Sequence, residues 1–160
     1  TRPAMLDLTR VKAYRRLDET LHTAGQPTRE ELRALGTAGI RHVINLAMAD
    51  SDGALADEAA LLRAQGIGYD HQPIVFTAPS REHLRRFGAA LEQHESEPIL
   101  VHCALNMRVS AMIFMDRIDR KGIAPETALP DLTAIWTPGG PWRELIDSVL
   151  QDNGHPPLPA

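Results

Sequence analysis

A chain of 160 residues, 43% hydrophobic and 24% charged, is sized and balanced as one globular domain with a proper core. Its formal charge of −4 gives no general argument for nucleic-acid or membrane binding, so neither partner is expected, and no apolar run approaches the roughly 20 residues of a membrane span. A single cysteine, Cys103, excludes an internal disulfide and suits a reducing compartment, so the expected location is cytoplasmic.

Residues 1–19 carry Arg2, Arg10, Lys12, Arg15 and Arg16 without firm periodicity and are expected to form a solvated N-terminal arm. Leu21 to Ala24 is a short strand candidate, ended by Gly25-Gln26-Pro27. Thr28-Arg29-Glu30-Glu31 has the pattern of a capping box and predicts a helix, with Leu32 and Leu35 on its apolar face. Arg41 to Ala47 reads as a buried strand. Ala54 to Gln65 is helical in pattern and stops at Gly66. Gly68 to Phe76 predicts a strand, with Pro73 marking an edge or a bend.

Pro79-Ser80 opens a third helix, on which Leu84, Phe87 and Leu91 fall at helical spacing. A short apolar strand, Ile99 to His102, precedes a fourth helix from about Arg108 to Lys121. Pro125 suits the first turn of a fifth helix, which Pro130 is expected to kink or break. Trp136 and Trp142 flank a turn, Leu145 to Leu150 mark a closing helix, and 153–160 is expected to be a flexible tail. Strands alternating with helices imply one α/β domain over 1–160. Its mostly parallel sheet of four to five strands is covered by helices on both faces.

Cys103 stands where the last strand gives way to a helix. A thiolate there lies beside the positive end of the helix dipole, and free backbone N–H groups can hold an anion. Ligands of parallel sheets sit beyond the carboxyl ends of the strands, which is where Cys103 falls. Residue type and architecture therefore point to the same place. The alternative is a small buried thiol with no chemical role.

His102-Cys103, a short loop, Arg108 and Ser110 resemble the phosphate-binding loop of cysteine-dependent phosphatases. The closer likeness is to the dual-specificity and bacterial tyrosine-phosphatase-like group. The Gly25-Gln26-Pro27 turn and the Ile44-Asn45-Leu46 strand occur in that group's usual order, so the resemblance covers most of the chain and implies the same fold. It implies Cys103 as nucleophile and Arg108 as a planar clamp for phosphate oxygens. It further implies Ser110 as a helper that stabilises the sulfur as leaving group, and His102 as a support that keeps the loop in shape. The backbone from Cys103 through Ala104, Leu105, Asn106 and Met107 to Arg108 would cradle the phosphate. The implied substrate is a phosphorylated protein or a small phosphorylated molecule.

The sequence departs from the family pattern, H-C-x5-R-[ST], at particular points. Asn106 replaces the glycine three places after the cysteine, a position where Asn tolerates a left-handed backbone. Arg108 comes five places after Cys103 rather than six, giving C-x4-R, so the loop is either one residue shorter or of normal length with its arginine displaced. The family also uses an aspartate on the loop after the third strand, and Phe76-Thr77-Ala78-Pro79-Ser80 has no carboxylate. Asp70 is the first alternative as general acid, followed by Asp50, Asp52, Glu82 and Asp131.

No cofactor is expected, since neither G-x-G-x-x-G nor a Walker loop is present. No metal is expected either: the seven histidines form no ligand pattern, and His83 and His94 would lie roughly 16 Å apart along one helix. Arg81, Arg85 and Arg86 read as a solvated face, and Trp136 and Trp142 as packing anchors. Two rival functions remain open. A rhodanese-like sulfurtransferase also carries a reactive cysteine after a strand, in a loop of six residues like that from Cys103 to Arg108. A non-catalytic oxyanion-binding module would account for the missing acid.

Overall fold

The Thr28–Glu31 capping box closes as its sequence predicts. In the computed structural model, which describes residues 5–159, Thr28 Oγ1 accepts from the Glu31 N–H at 3.1 Å and Glu31 Oε1 accepts from the Thr28 N–H at 2.9 Å. Helix α1 (Arg29–Ala34) begins there and continues into a 3-10 turn, Leu35–Ala38, that Gly39 ends at φ 87°.

Five strands form one sheet: β1 (Arg15–Arg16), β2 (Leu21–Ala24), β3 (His42–Asn45), β4 (Gly68–His71) and β5 (Ile99–His102). Their spatial order is β1-β2-β5-β3-β4, with β1 antiparallel to β2 and every other pair parallel. Ala24, Asn45 and His102 are register partners at one edge of the sheet, and His71 pairs with Asn45. Leu21, His42 and Gly68 line the other edge beside Ile99. The first edge is the carboxyl end of the parallel strands and carries the cysteine.

Alternation along the strands sends side chains to two cores. Ile44, Ile99 and Val101 pack under α3 (Arg81–His94), α4 (Met107–Asp119), α5 (Pro125–Thr133) and α6 (Gly140–Asp152). Val43 and Leu100 face the opposite way, onto Leu32 and Leu35 and onto Leu62 of α2 (Glu58–Arg63). Helices thus cover both faces. Leu84, Phe87 and Leu91 form the buried stripe of α3, and Ser80 caps that helix. Helix α4 is buried along almost its whole length, which fixes the arginine in its first turn.

Several expectations need correction. From Met5 onward the basic arm belongs to the body: Val11 is buried, Arg15 and Arg16 pair with Thr23 and His22, and Gly25 donates to Lys12 O. Thr1 to Ala4, Arg2 among them, lie outside the described residues. Backbone pairing holds this segment, so side-chain periodicity did not reveal it. Strand β4 ends at His71, ahead of Pro73, which has no N–H to continue a ladder.

Helix α5 runs through Pro130, which lies on its exposed side where water can take the freed carbonyl. The expected tail is tied down: the Leu158 N–H donates to Asp147 Oδ1 at 2.9 Å, and Arg143 donates to Leu158 O. Ala160 lies outside the described residues. No helix among those described is long and apolar enough to cross a membrane.

Candidate active site

Cys103 follows β5 directly and is 1% exposed. Its N–H donates to Ala24 O at 3.4 Å, while Ala104 O accepts from the Gln26 N–H at 3.0 Å. The Gly25-Gln26-Pro27 turn therefore forms one wall of the cysteine loop. Gly25 is required there, because a Cβ at this position would lie 2.5 Å from Ala104 O.

The loop turns at Asn106, which adopts a left-handed backbone with φ 67°. Its Nδ2 donates to Ala13 O at 2.9 Å and to Thr23 Oγ1 at 3.0 Å, tying the turn to β2 and to the segment before β1. Asn106 thus supplies both the backbone conformation and the anchors. Among the described residues, no protein acceptor takes the N–H of Ala104, Leu105 or Asn106. The first N–H groups of α4 are unpaired by the geometry of any helix start. The result is a run of donors at a helix N-terminus, which attracts an anion.

Helix α4 begins at Met107, so Arg108 lies in its first turn. The Arg108 side chain crosses to the far wall of the site and is 7% exposed. Nη1 donates to Ile74 O at 2.9 Å and Nη2 to Ser51 Oγ at 3.4 Å. The guanidinium carbon lies 6.0 Å from the Phe76 ring centre. Phe76 in turn meets Trp136 and Trp142, and Trp142 Nε1 donates to Phe76 O at 2.6 Å. The tryptophans anchor the loop that the guanidinium grips.

Ser110 lies two residues after Arg108 on α4. Its hydroxyl donates to Met107 O at 3.1 Å and accepts from Trp136 Nε1 at 3.1 Å. The structure therefore engages it with the helix and an aromatic anchor and does not join it to the sulfur.

Behind the loop lies a buried polar pair. His102 is fully buried, and its Nε2 lies 2.6 Å from Glu58 Oε2, while Gln26 Nε2 donates to Glu58 Oε1 at 3.1 Å. Burial opposes ionisation of Glu58. The His102 hydrogen bond and charge, with the Gln26 bond, outweigh it and hold the carboxyl below the usual range. Next to this pair, Asn45 Nδ2 donates to the Tyr69 hydroxyl at 3.1 Å. Burial pushes that phenol up to about 12, against the Asn45 bond and with help from Glu58. Glu58, Gln26, Ser51 and Tyr69 carry no sequence signal of a role here. Gln26 alone sat in a turn that the sequence singled out.

Three of the five acid candidates have fixed partners. Asp70 is turned toward the opposite edge of the sheet, where its Oδ2 lies 2.8 Å from His42 Nε2. Glu82 is paired with Arg85 and Arg86, and Asp131 with Arg15 and Arg117. Asp50 and Asp52 are exposed and flank Ser51, the residue that touches Arg108. Arg81 is joined to Ser148 and Asp152, so the three arginines of α3 all have partners of their own.

The histidine expectation also changes. His83 bonds Ser80 at the start of α3, but His94 at its end stacks on His42 beside Asp70, three potential ligands converging within 4.8 Å of one another. Tertiary packing joins elements that are distant in sequence, so no spacing rule could reveal it.

Residues 9–134 match the family described as DSP-PTPase phosphatase fused to NAD+ kinase. No curated protein matches the chain in sequence. Among solved structures, a Shewanella putrefaciens protein described as a candidate phosphatase (DUF442) is 28% identical, with a TM-score of 0.82 over 92% of this chain and 97% of that one. PTPMT1, solved with PI(5)P, shares the fold at 16% identity and TM-score 0.72, over 89% of this chain and 97% of its own. TpbA of P. aeruginosa, solved with pTyr as a Cys-to-Ser variant, shares it at 18% identity and TM-score 0.61, over 89% and 91%. With residues 9–134 matched by that family and the fold shared over 92% of the chain, the chain belongs to the cysteine-dependent phosphatases of dual-specificity type.

Proposed function

We propose that the chain hydrolyses phosphate monoesters through a phosphocysteine on Cys103. The observation that carries this reading is the run of N–H groups from Ala104 to Asn106 without a protein acceptor among the described residues, followed in the first turn of α4 by the buried Arg108. Together they offer directed donors and a fixed positive charge to a dianion beside a thiol. Attack by the Cys103 thiolate forms the S–P bond and breaks the P–O bond to the leaving group, which takes a proton from an acid at the mouth. Water then attacks phosphorus, releasing phosphate and the thiolate.

In this reading His102, held by Glu58, keeps the loop in register rather than touching substrate. Helix α4 begins at Met107, so the arginine of the C-x4-R spacing lies in its first turn, which supports reading the loop as one residue shorter. Ser110 would have to release Met107 O before its hydroxyl could reach the sulfur. The substrate class is a phosphorylated protein or a small phosphorylated molecule. Incubation with an aryl phosphate should release phosphate from the native chain and none from Cys103→Ser. Equal rates for the two would sink the proposal.

A second reading, transfer of sulfane sulfur by a Cys103 persulfide, is favoured by the six-residue loop. Mass spectrometry after thiosulfate treatment separates the two. A gain of one sulfur atom on Cys103, with no phosphate release, supports transfer; release of phosphate with no gain supports hydrolysis.

A further inference from the structure

We propose that His42, Asp70 and His94 form a binding site for one divalent transition-metal ion of the zinc class, at the edge of the sheet opposite the cysteine. The three donors come from β3, β4 and the last residue of α3, and their ligating atoms all lie within 4.8 Å of one another. Two imidazoles and a carboxylate suit zinc, cobalt, nickel or copper(II) and leave room for water as a further ligand.

Neighbouring contacts fix which nitrogen each imidazole presents. Gly68 packs on the His42 ring so closely that a Cβ there would lie 2.5 Å from Nδ1, which leaves Nε2 as the nitrogen presented to Asp70. Glu97 Oε1 lies 3.4 Å from His94 Nδ1, placed to hold that nitrogen's proton and leave the other for the ion. Carboxylates orient metal-binding histidines in this way. The Asp70 side chain is 41% exposed and that of His94 19%, so an ion has a path from solvent.

The two rings are stacked at 3.6 Å and 11°. Parallel rings do not aim their in-plane lone pairs at one point, so coordination turns one ring out of the stack. His94, at a helix end and partly exposed, is the one free to turn; His42 is locked between Gly68 and Asp70. The ion would clamp β3, β4 and α3 together. The site does not depend on phosphatase chemistry, since the cysteine loop lies beyond the other ends of these strands.

The test uses the Cys103→Ser chain throughout, so that the thiol cannot act as ligand. After chelator treatment, ZnCl2 is titrated by calorimetry and CoCl2 by visible absorption. One equivalent should bind, cobalt should give d–d bands, and His94→Ala and Asp70→Asn should each lower affinity at least tenfold while keeping the native circular dichroism. Glu97→Gln should weaken binding less than either. No saturable binding, or unchanged affinity in both His94→Ala and Asp70→Asn, overturns the site.

Discussion

Glu58 Oε2 lies 2.6 Å from His102 Nε2, with His102 fully buried and Glu58 almost so. The residue immediately before the cysteine is thereby fastened to α2, and through Gln26 to the turn after β2. Glu58→Ala leaves a buried imidazole without its partner and should cost about 3 kcal/mol of stability. Urea unfolding at neutral pH measures it. A loss too small to detect would show that the pair contributes nothing to the fold.

The same pair sets a pH dependence. Burial works against ionisation of Glu58, but the His102 and Gln26 interactions prevail and hold its folded carboxyl below the ordinary 4.5. The unfolded chain therefore binds the proton first. Stability from this group is complete above the ordinary value and is lost as pH falls through the depressed folded one. Unfolding midpoints should thus drop more steeply below about pH 4.5 in the native chain than in Glu58→Gln. Parallel acid profiles for the two proteins would remove Glu58 as the cause.

Asn106 joins two effects that substitution separates. Asn106→Gly keeps the left-handed turn but loses the bonds to Ala13 O and Thr23 Oγ1; Asn106→Ala loses the bonds and strains the backbone as well. The alanine variant should be the less stable by about 1 kcal/mol, and both should fall below the native chain. Thermal unfolding of the three proteins side by side gives the order, and a glycine variant more stable than the native one would contradict it.

Legibility in the sequence tracked the kind of force involved. Helices whose apolar residues recur at helical spacing, such as α3, and starts marked by a capping residue, such as Thr28, were readable because local chemistry determines them. The cysteine loop was readable for the same reason: Cys103, Asn106 and Arg108 lie within six residues. The strand β1 and the tail at Leu158 were not, because backbone and long-range bonds hold them. Nor were Glu58, which resembles any surface glutamate until α2 turns it inward, and the pairing of Asp70 with His42 across β3 and β4.

Arg108→Lys tests whether the guanidinium's shape matters beyond its charge. Arg108 spans Ile74 O and Ser51 Oγ, and a planar fork can keep those contacts while presenting N–H groups to phosphate. Lysine offers one compact ammonium. Turnover of an aryl phosphate should fall about 10²-fold or more, with binding of inorganic phosphate weakened. Activity near the native level would mean that charge alone suffices.

In the proposed hydrolysis, geometry narrows the choice of group that protonates the leaving oxygen. Asp70 bonds His42 at the other edge of the sheet and Glu82 and Asp131 are held by arginines, whereas Asp50 and Asp52 flank Ser51, which touches Arg108. Loss of general-acid catalysis costs about 10²–10⁴-fold and matters most when the leaving group is a poor one. Asp50→Asn and Asp52→Asn should therefore be compared on an alkyl phosphate and on an activated aryl phosphate. One of the two should lose at least about 10²-fold on the alkyl ester and much less on the aryl ester, while Asp70→Asn loses little on either. If Asp70→Asn alone showed the leaving-group-dependent loss, the acid would have to come from a rearrangement of β4, and the assignment to the Ser51 loop would be wrong.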